Sequence, residues 1–560
     1  MNATFTGVHT HDDSLPDWTR VAREDDVREM RELRHRLETT HPAPRTIGGA
    51  SRGRPSPPDW VALAADPVAL DAELARANLD VRILETESRF FHDRNPALWT
   101  GEAIFGVISL LLRPFSPLEQ RTGPLLARLD AVPRFLSQMR ATLTDPVPAP
   151  WIARARRECQ AAQRFLRVEI RVWSIHAGMP VGDSMELARA ADHAAEAFEQ
   201  SDRWLAALHD GDDAQDPDIG CSLGADGYDL LLRRGHFAES DAETLLARAR
   251  AQLPQEQEKL AALVRDIAGS PDALNRLIAA SHPGPDEYLS AFGVKWVSCR
   301  AFSLQHDLVE WPDWPIRYVP IPEWAREAAP HLYFLFYRSP APFDRYTVHE
   351  YLVTPVDRSV GEDECERRLR ACNHSTITLN HVVHHGALGH HVQNWHATHR
   401  SRSRIGTIAA VDGASRIGMF LGGSMAEGWA CYATELMDEL GFLSPLERAA
   451  EQQSRVRMLG RAIVDISLHT GAFTFRQAVA YYRDTVAMPA DAATGEVTKN
   501  SMFPGTAVMY WLGSQGILDL RETVRARHLG AFSSRRFHDA LLSWGAIPVP
   551  VLSRLLTERA

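Results

Sequence analysis

A chain of 560 residues that is 45% apolar and 24% charged carries enough material for one large or several small hydrophobic cores. Its net charge of −11 and pI near 6.1 argue against a general nucleic-acid binder, which needs a basic face to displace counterions. The longest apolar run, IFGVISLLL at 104–112, is about half of a bilayer span and is broken by Ser109, so no membrane partner is expected. The start, MNATFTGVHTHDDSLPDW, has neither a basic nor an apolar leader region. Six cysteines without a CxxC pair suit a reducing compartment, and the expectation from these signals is a cytoplasmic protein.

Residues 1–60 read as a polar extension with one helix over 21–40, ending in SRGRPSPPDW, where proline and glycine interrupt any helix. From Pro67 the pattern changes. Leu70, Leu74, Leu79 and Ile83 recur at helical spacing, and Asp66-Pro67 forms an N-cap followed by proline at the first helical position. Amphipathic helices are expected over 116–143, 149–177, 184–209 and 241–268. The stretch HLYFLFYRSP (331–340), APFD, RYTVHEYLVTPV (345–356) is instead aromatic and β-branched, and predicts a small hairpin or sheet edge. Helix resumes over 423–441 and 445–471, and Ser533 or Ser534 caps a last helical segment. The fold class is mainly α with a small β element. A helical part at 61–300 and a helical, metal-site part at 301–560 form one compact unit or two lobes around a cleft.

Histidine is the unusual residue. Of 24 histidines, eight (374, 381, 384, 385, 390, 391, 396 and 399) fall in one window where the average frequency gives about one. Their core reads HVVHHGALGHHVQNWHATHR (381–400). Metals such as zinc take two or three neutral imidazoles, often with a carboxylate. His381 and His385 have the i,i+4 spacing that a regular helix offers to one metal. His384 and His390 stand about 120° apart on an ideal helix, but Gly386 and Gly389 between them permit a bulge that brings both rings to one ion.

With HHGALGHHVQ at 384–393 and EGWACYAT at 427–434, the chain resembles domain-of-unknown-function family 885, bacterial proteins regarded as gluzincin-type zinc metallopeptidases with HExxPGHxxQ and EGWAxYxE signatures. The similarity runs on through RAIVDISLHTGAFTFRQA (461–478), EVTKNSMFPGTAVMYWLG (496–513) and RRFHDALLSWGAIPVPVL (535–552). The resemblance implies a large helical metallopeptidase-like fold, with His384, His390 and Glu427 as zinc ligands and a small molecule or peptide as substrate. It also implies a tyrosine at Tyr510 that donates to a developing oxyanion.

This chain departs from the pattern in three places: His385 stands where the family has glutamate, Leu388 where it has proline, and Thr434 where it has glutamate. The first concerns chemistry, because that glutamate moves the proton of the attacking water. His385 can replace it as a base or become a further ligand, which shifts the site toward iron, copper or manganese. Glu350 is an alternative base. Arg461, Asp465 and His469, at i, i+4 and i+8, form either an ion-pair ladder or a network orienting a ligand, and His391 is a further candidate of that kind. Lys499 replaces the arginine usual in the family. The sequence leads to a metal-dependent hydrolase of peptide or amide bonds. Its alternatives are a metalloenzyme with redox, lyase or rearrangement chemistry, and an inactive binding protein on the same scaffold.

Overall fold

The computed structural model describes residues 2–42, 44, 59–112, 114–209, 218, 220–326, 329, 337–338, 341–344, 349–356, 360–410 and 421–557. The chain is mainly helical, with one small sheet. Helix starts follow the expected chemistry. Asp66 accepts from the backbone N–H of Val68 and Ala69 ahead of helix Pro67–Glu87, whose first residue is the proline. Ser444 and Glu447 close a reciprocal capping box on helix Pro445–His469, and Ser533 caps Ser534–Leu542. The segment expected over 149–177 divides into helices Ala149–Arg164 and Ile170–His176 around a π-helical turn, Phe165–Glu169.

The N-terminal segment is not a detached polar extension. Phe5 and Trp18 are buried in the first core, and the buried Arg128 guanidinium donates to Thr4 Oγ1 and to the carbonyl of His11. Helix Arg20–Thr40 packs on Pro67–Glu87, with Arg34 joined to Asp80 at 2.6 Å. Low apolar content concealed this because a few aromatics and one buried arginine do the anchoring.

Two large apolar cores meet at the sheet. One is built by helices Pro96–Leu111, Leu118–Thr142, Ala149–Arg164 and Val181–His209. The other gathers Tyr288–Gln305, the histidine segment, Gly423–Glu439 and the C-terminal helices. The sheet order is β1 (Ile316–Pro320), β3 (His349–Val353), β2 (Tyr337–Arg338). The expected hairpin pairing is present as β2 antiparallel to β3; residues 331–336, 339–340 and 345–348 lie outside the described residues. The sequence reading missed β1, which pairs with β3 in parallel from Ile316↔His349 to Pro320↔Val353. Side chains alternate across a strand, so Tyr351 and Val353 enter the second core while Leu352 enters the first.

Candidate metal centre

The histidines sit on a distorted helix. Ile377–Gly386 is π-helical, the chain turns at Ala387–Gly389, and helix His390–His399 begins directly after it. A π-helix closes i→i+5 hydrogen bonds and so shifts the residues that share a face. His381 and His385 therefore do not form the expected pair. His381 Nδ1 takes the Tyr351 hydroxyl at 2.6 Å, and the cluster is made by His384, His385 and His390, whose ligand atoms lie within 4.8 Å of one another.

Glycine makes that turn possible. A Cβ on Gly389 would stand 1.9 Å from the His384 carbonyl oxygen, and one on Gly386 would stand 2.1 Å from the Tyr318 hydroxyl. Trp429 Nε1 donates to the carbonyls of Leu388 and Gly389 at 2.9 and 3.2 Å, and Trp296 Nε1 donates to that of Gly386 at 2.7 Å. Two indoles thus hold the turn that places the imidazoles. Leu388 is fully buried in the second core.

Glu427 comes from helix Gly423–Glu439, where Gly428 meets Gly513 of helix Val508–His528 backbone to backbone. Its Oε2 lies 3.3 Å from His384 Nε2 and 3.8 Å from His390 Nε2. Burial raises this carboxyl, but the contacts with His384 and His390 outweigh it and hold Glu427 well below the ordinary carboxylate range. Ligand atoms about 2.1 Å from a tetrahedral zinc stand roughly 3.4 Å from one another, so the carboxylate separations match that geometry. The ring orientations fit as well. His390 Nδ1 bonds to Gln393 Oε1 at 3.2 Å, and His385 Nδ1–H donates to the Asn380 carbonyl at 2.6 Å, which leaves the lone pair of a neutral His385 on Nε2. Burial, with His384 and His390 beside it, pushes His385 well below the ordinary imidazole range and keeps it neutral.

The other candidates are distributed differently. His391 turns away: Nε2–H donates to the Trp314 carbonyl at 3.3 Å and the ring packs on His349. Glu350 shares the strand face of Leu352, opposite Tyr351, and pairs with Arg317 at 2.6 Å, so the structure does not bring it to the histidines. Of Arg461, Asp465 and His469, the last two lie side by side, with His469 Nε2 3.6 Å from Asp465 Oδ1, while each of the three also takes a partner from another element. Arg461 binds Glu496 through Nε and Nη2 at 2.7 and 3.1 Å. Asp465 accepts from the N–H groups of Gly505, Ala507 and Val508 and so anchors the start of helix Val508–His528. His469 Nε2–H donates to the Asn500 carbonyl at 3.0 Å. Tyr510 lies in the first turn of that helix, with the Arg461 guanidinium 5.4 Å from its ring centre. Lys499 is half-buried on helix Ala490–Met502, and burial together with the Arg461 charge pushes its ammonium below the ordinary lysine range, against the pull of the Glu496 and Glu427 carboxylates.

Sequence reasoning missed Tyr351, Gln393 and Glu451. Thr434 donates to Glu451 Oε1 at 3.0 Å, which brings a carboxylate of the neighbouring helix Pro445–His469 against helix Gly423–Glu439.

Residues 1–556 match the family described as "Bacterial protein of unknown function (DUF885)". The chain belongs to DUF885. No curated protein matches it. Two solved structures share the DUF885 chain's fold. A "putative lipoprotein of unknown function" from Shewanella oneidensis superposes with TM-score 0.74 at 19% identity, covering 99% of this chain and 96% of that one. The "putative lipoprotein" from Colwellia psychrerythraea gives TM-score 0.76 at 16% identity, covering 100% and 95%. These neighbours overturn the cytoplasmic expectation, since lipoproteins are held at a membrane. Few cysteines and an unremarkable start were too weak a basis for assigning a compartment. Among the described residues, no helix is long and apolar enough to cross a membrane.

Proposed function

We propose that this DUF885 protein is a metal-dependent hydrolase of peptide or amide bonds, with zinc held by His384, His390 and Glu427. The observation that carries the reading is the convergence of one carboxylate oxygen on two imidazole Nε2 atoms, beside a third imidazole whose Nδ1–H is already committed. Zinc in such a site supplies a Lewis acid that polarises a carbonyl and acidifies water.

The protein's own groups divide the remaining work. His385, neutral with its lone pair on Nε2, accepts the proton of the attacking water and returns it to the leaving amine. Tyr510 donates a hydrogen bond where negative charge develops on the carbonyl oxygen. Trp429 and Trp296 fix the turn, and Asp465 fixes the helix that carries Tyr510.

The test is hydrolysis of a dipeptide amide series by zinc-loaded protein. The reading expects turnover that chelator and His384→Ala both abolish; no turnover of any peptide or amide by zinc-loaded protein contradicts it. One observation favours a second reading. Three imidazoles whose ligand atoms lie within 4.8 Å of one another, with a carboxylate beside two of them, also offer a donor set suited to iron, copper or manganese, with chemistry other than hydrolysis. Bound iron or copper with absorption in the visible separates the two.

A further inference from the structure

Beside the candidate metal centre lies an excess of positive charge that the proposed reaction does not use. Arg457 and Arg461 are one turn apart on helix Pro445–His469, and Glu496 and Lys499 are one turn apart on helix Ala490–Met502, which packs against it. Arg457, Arg461 and Lys499 therefore surround Glu496, and Glu427 and Arg154 also act on Lys499. Glu496 is committed to Arg461, whose Nε and Nη2 it accepts at 2.7 and 3.1 Å. Neither Arg457 nor Lys499 forms an ion pair with any described residue. Arg457 is exposed, while Lys499 and Arg461 are half-buried, so all three reach solvent from positions where neighbouring protein partly desolvates them. Lys499 connects the group to the metal centre, since it stands within the field of Glu427.

Unpaired cations held together at partial burial repel one another, and an anion between them removes that cost. We infer that Arg457, Arg461 and Lys499 form a subsite for a free carboxylate of the substrate, placed next to the bond that the metal centre acts on. The inference rests on the proposed hydrolase reading for the word substrate, but the subsite stands on its own residues. A carboxylate fits better than a phosphate. The Arg461 fork is already occupied by Glu496, which leaves its Nη1, a point-like ammonium on Lys499 and the Arg457 guanidinium, enough for two oxygens. The implied substrates are short peptides or amidated acids cut near a terminal carboxylate.

Calorimetric titration of the full chain with hippurate, with hippuramide as its uncharged counterpart and with inorganic phosphate, tests this in chelator and again after zinc loading. Hippurate is expected to bind at least tenfold more tightly than hippuramide in both conditions. Lys499→Met and Arg457→Gln should each weaken hippurate about tenfold, about 1.4 kcal/mol, without changing hippuramide binding or zinc content, and Lys499→Arg should retain most of the affinity. Equal binding of acid and amide, tighter binding of phosphate, or a preference for hippurate that vanishes in chelator would overturn the subsite. Absence of zinc uptake with the hippurate preference intact refutes the metal reading alone; normal zinc uptake without the preference refutes the subsite alone.

Discussion

Glu427 Oε2 lies 3.3 Å from His384 Nε2, although the two residues belong to different elements and reach each other across a turn that only glycine allows. That turn is the first place where a small change has a large expected effect. In Gly389→Ala the new methyl would overlap the His384 carbonyl oxygen, and the backbone must move. A loss of about 3 kcal/mol or more in urea unfolding is expected, together with weaker zinc uptake. Wild-type stability and zinc affinity in this variant would contradict the described turn.

His385 distinguishes base from ligand. As the base it contributes a factor on the order of 10² to 10⁴, so His385→Ala should lose at least about a hundredfold in kcat while keeping its zinc. Loss of the metal together with the activity would make His385 a ligand. His385→Glu puts a carboxylate base in the same place, and a gain of peptidase activity over wild type would show that the native site is not tuned for hydrolysis.

Acid should unfold the protein through its buried histidines. His236, His469 and His538 are fully buried, and burial pushes each down to about 4. An unfolded imidazole titrates near 6.5. The unfolded chain therefore binds more protons below that pH, and the contribution of each neutral ring, about 3 kcal/mol, is complete above about pH 6.5 and lost as pH falls toward 4. The urea midpoint should fall steeply through that window. His538→Asn removes the ring that accepts the Tyr432 hydroxyl and donates to the Leu308 carbonyl. It should cost about 2 kcal/mol at pH 7 and reduce the pH slope by about one proton; an unchanged slope would contradict it.

Thr434 offers a test of the buried carboxylate it supports. Thr434→Val removes a donor to Glu451, which is buried and pushed up to about 7 by that burial, with Arg455 and Thr434 pulling it back. A loss of about 1–3 kcal/mol in chemical unfolding is expected. Thr434→Val with wild-type stability would show that the hydroxyl does not support the carboxylate.

Helix starts were legible because they are local chemistry. Asp66-Pro67 and the capping serine Ser533 announce themselves within four residues. Motif order singled out His384, His390 and Glu427, and the structure brings a Glu427 oxygen to 3.3 and 3.8 Å from the two imidazoles. What escaped depended on distant partners: β1 is a short strand whose mate lies 33 residues later, and Tyr351 and Gln393 act on histidines through tertiary contacts. The pairing of His381 with His385 was misread because a period of 3.6 was assumed where the segment is π-helical. The i,i+4 series from Arg461 to His469 correctly described one helix and the Asp465–His469 contact but said nothing of Glu496, Val508 or Asn500, which also engage these side chains.

Metal content per chain, measured by mass spectrometry on protein purified without chelator, tests the central claim most directly. About one zinc per chain is expected for three protein ligands closing on one ion, with loss in His384→Ala and in Glu427→Gln and a melting temperature that falls on chelation. A metal-free protein whose melting temperature ignores both chelator and added zinc would contradict the claim.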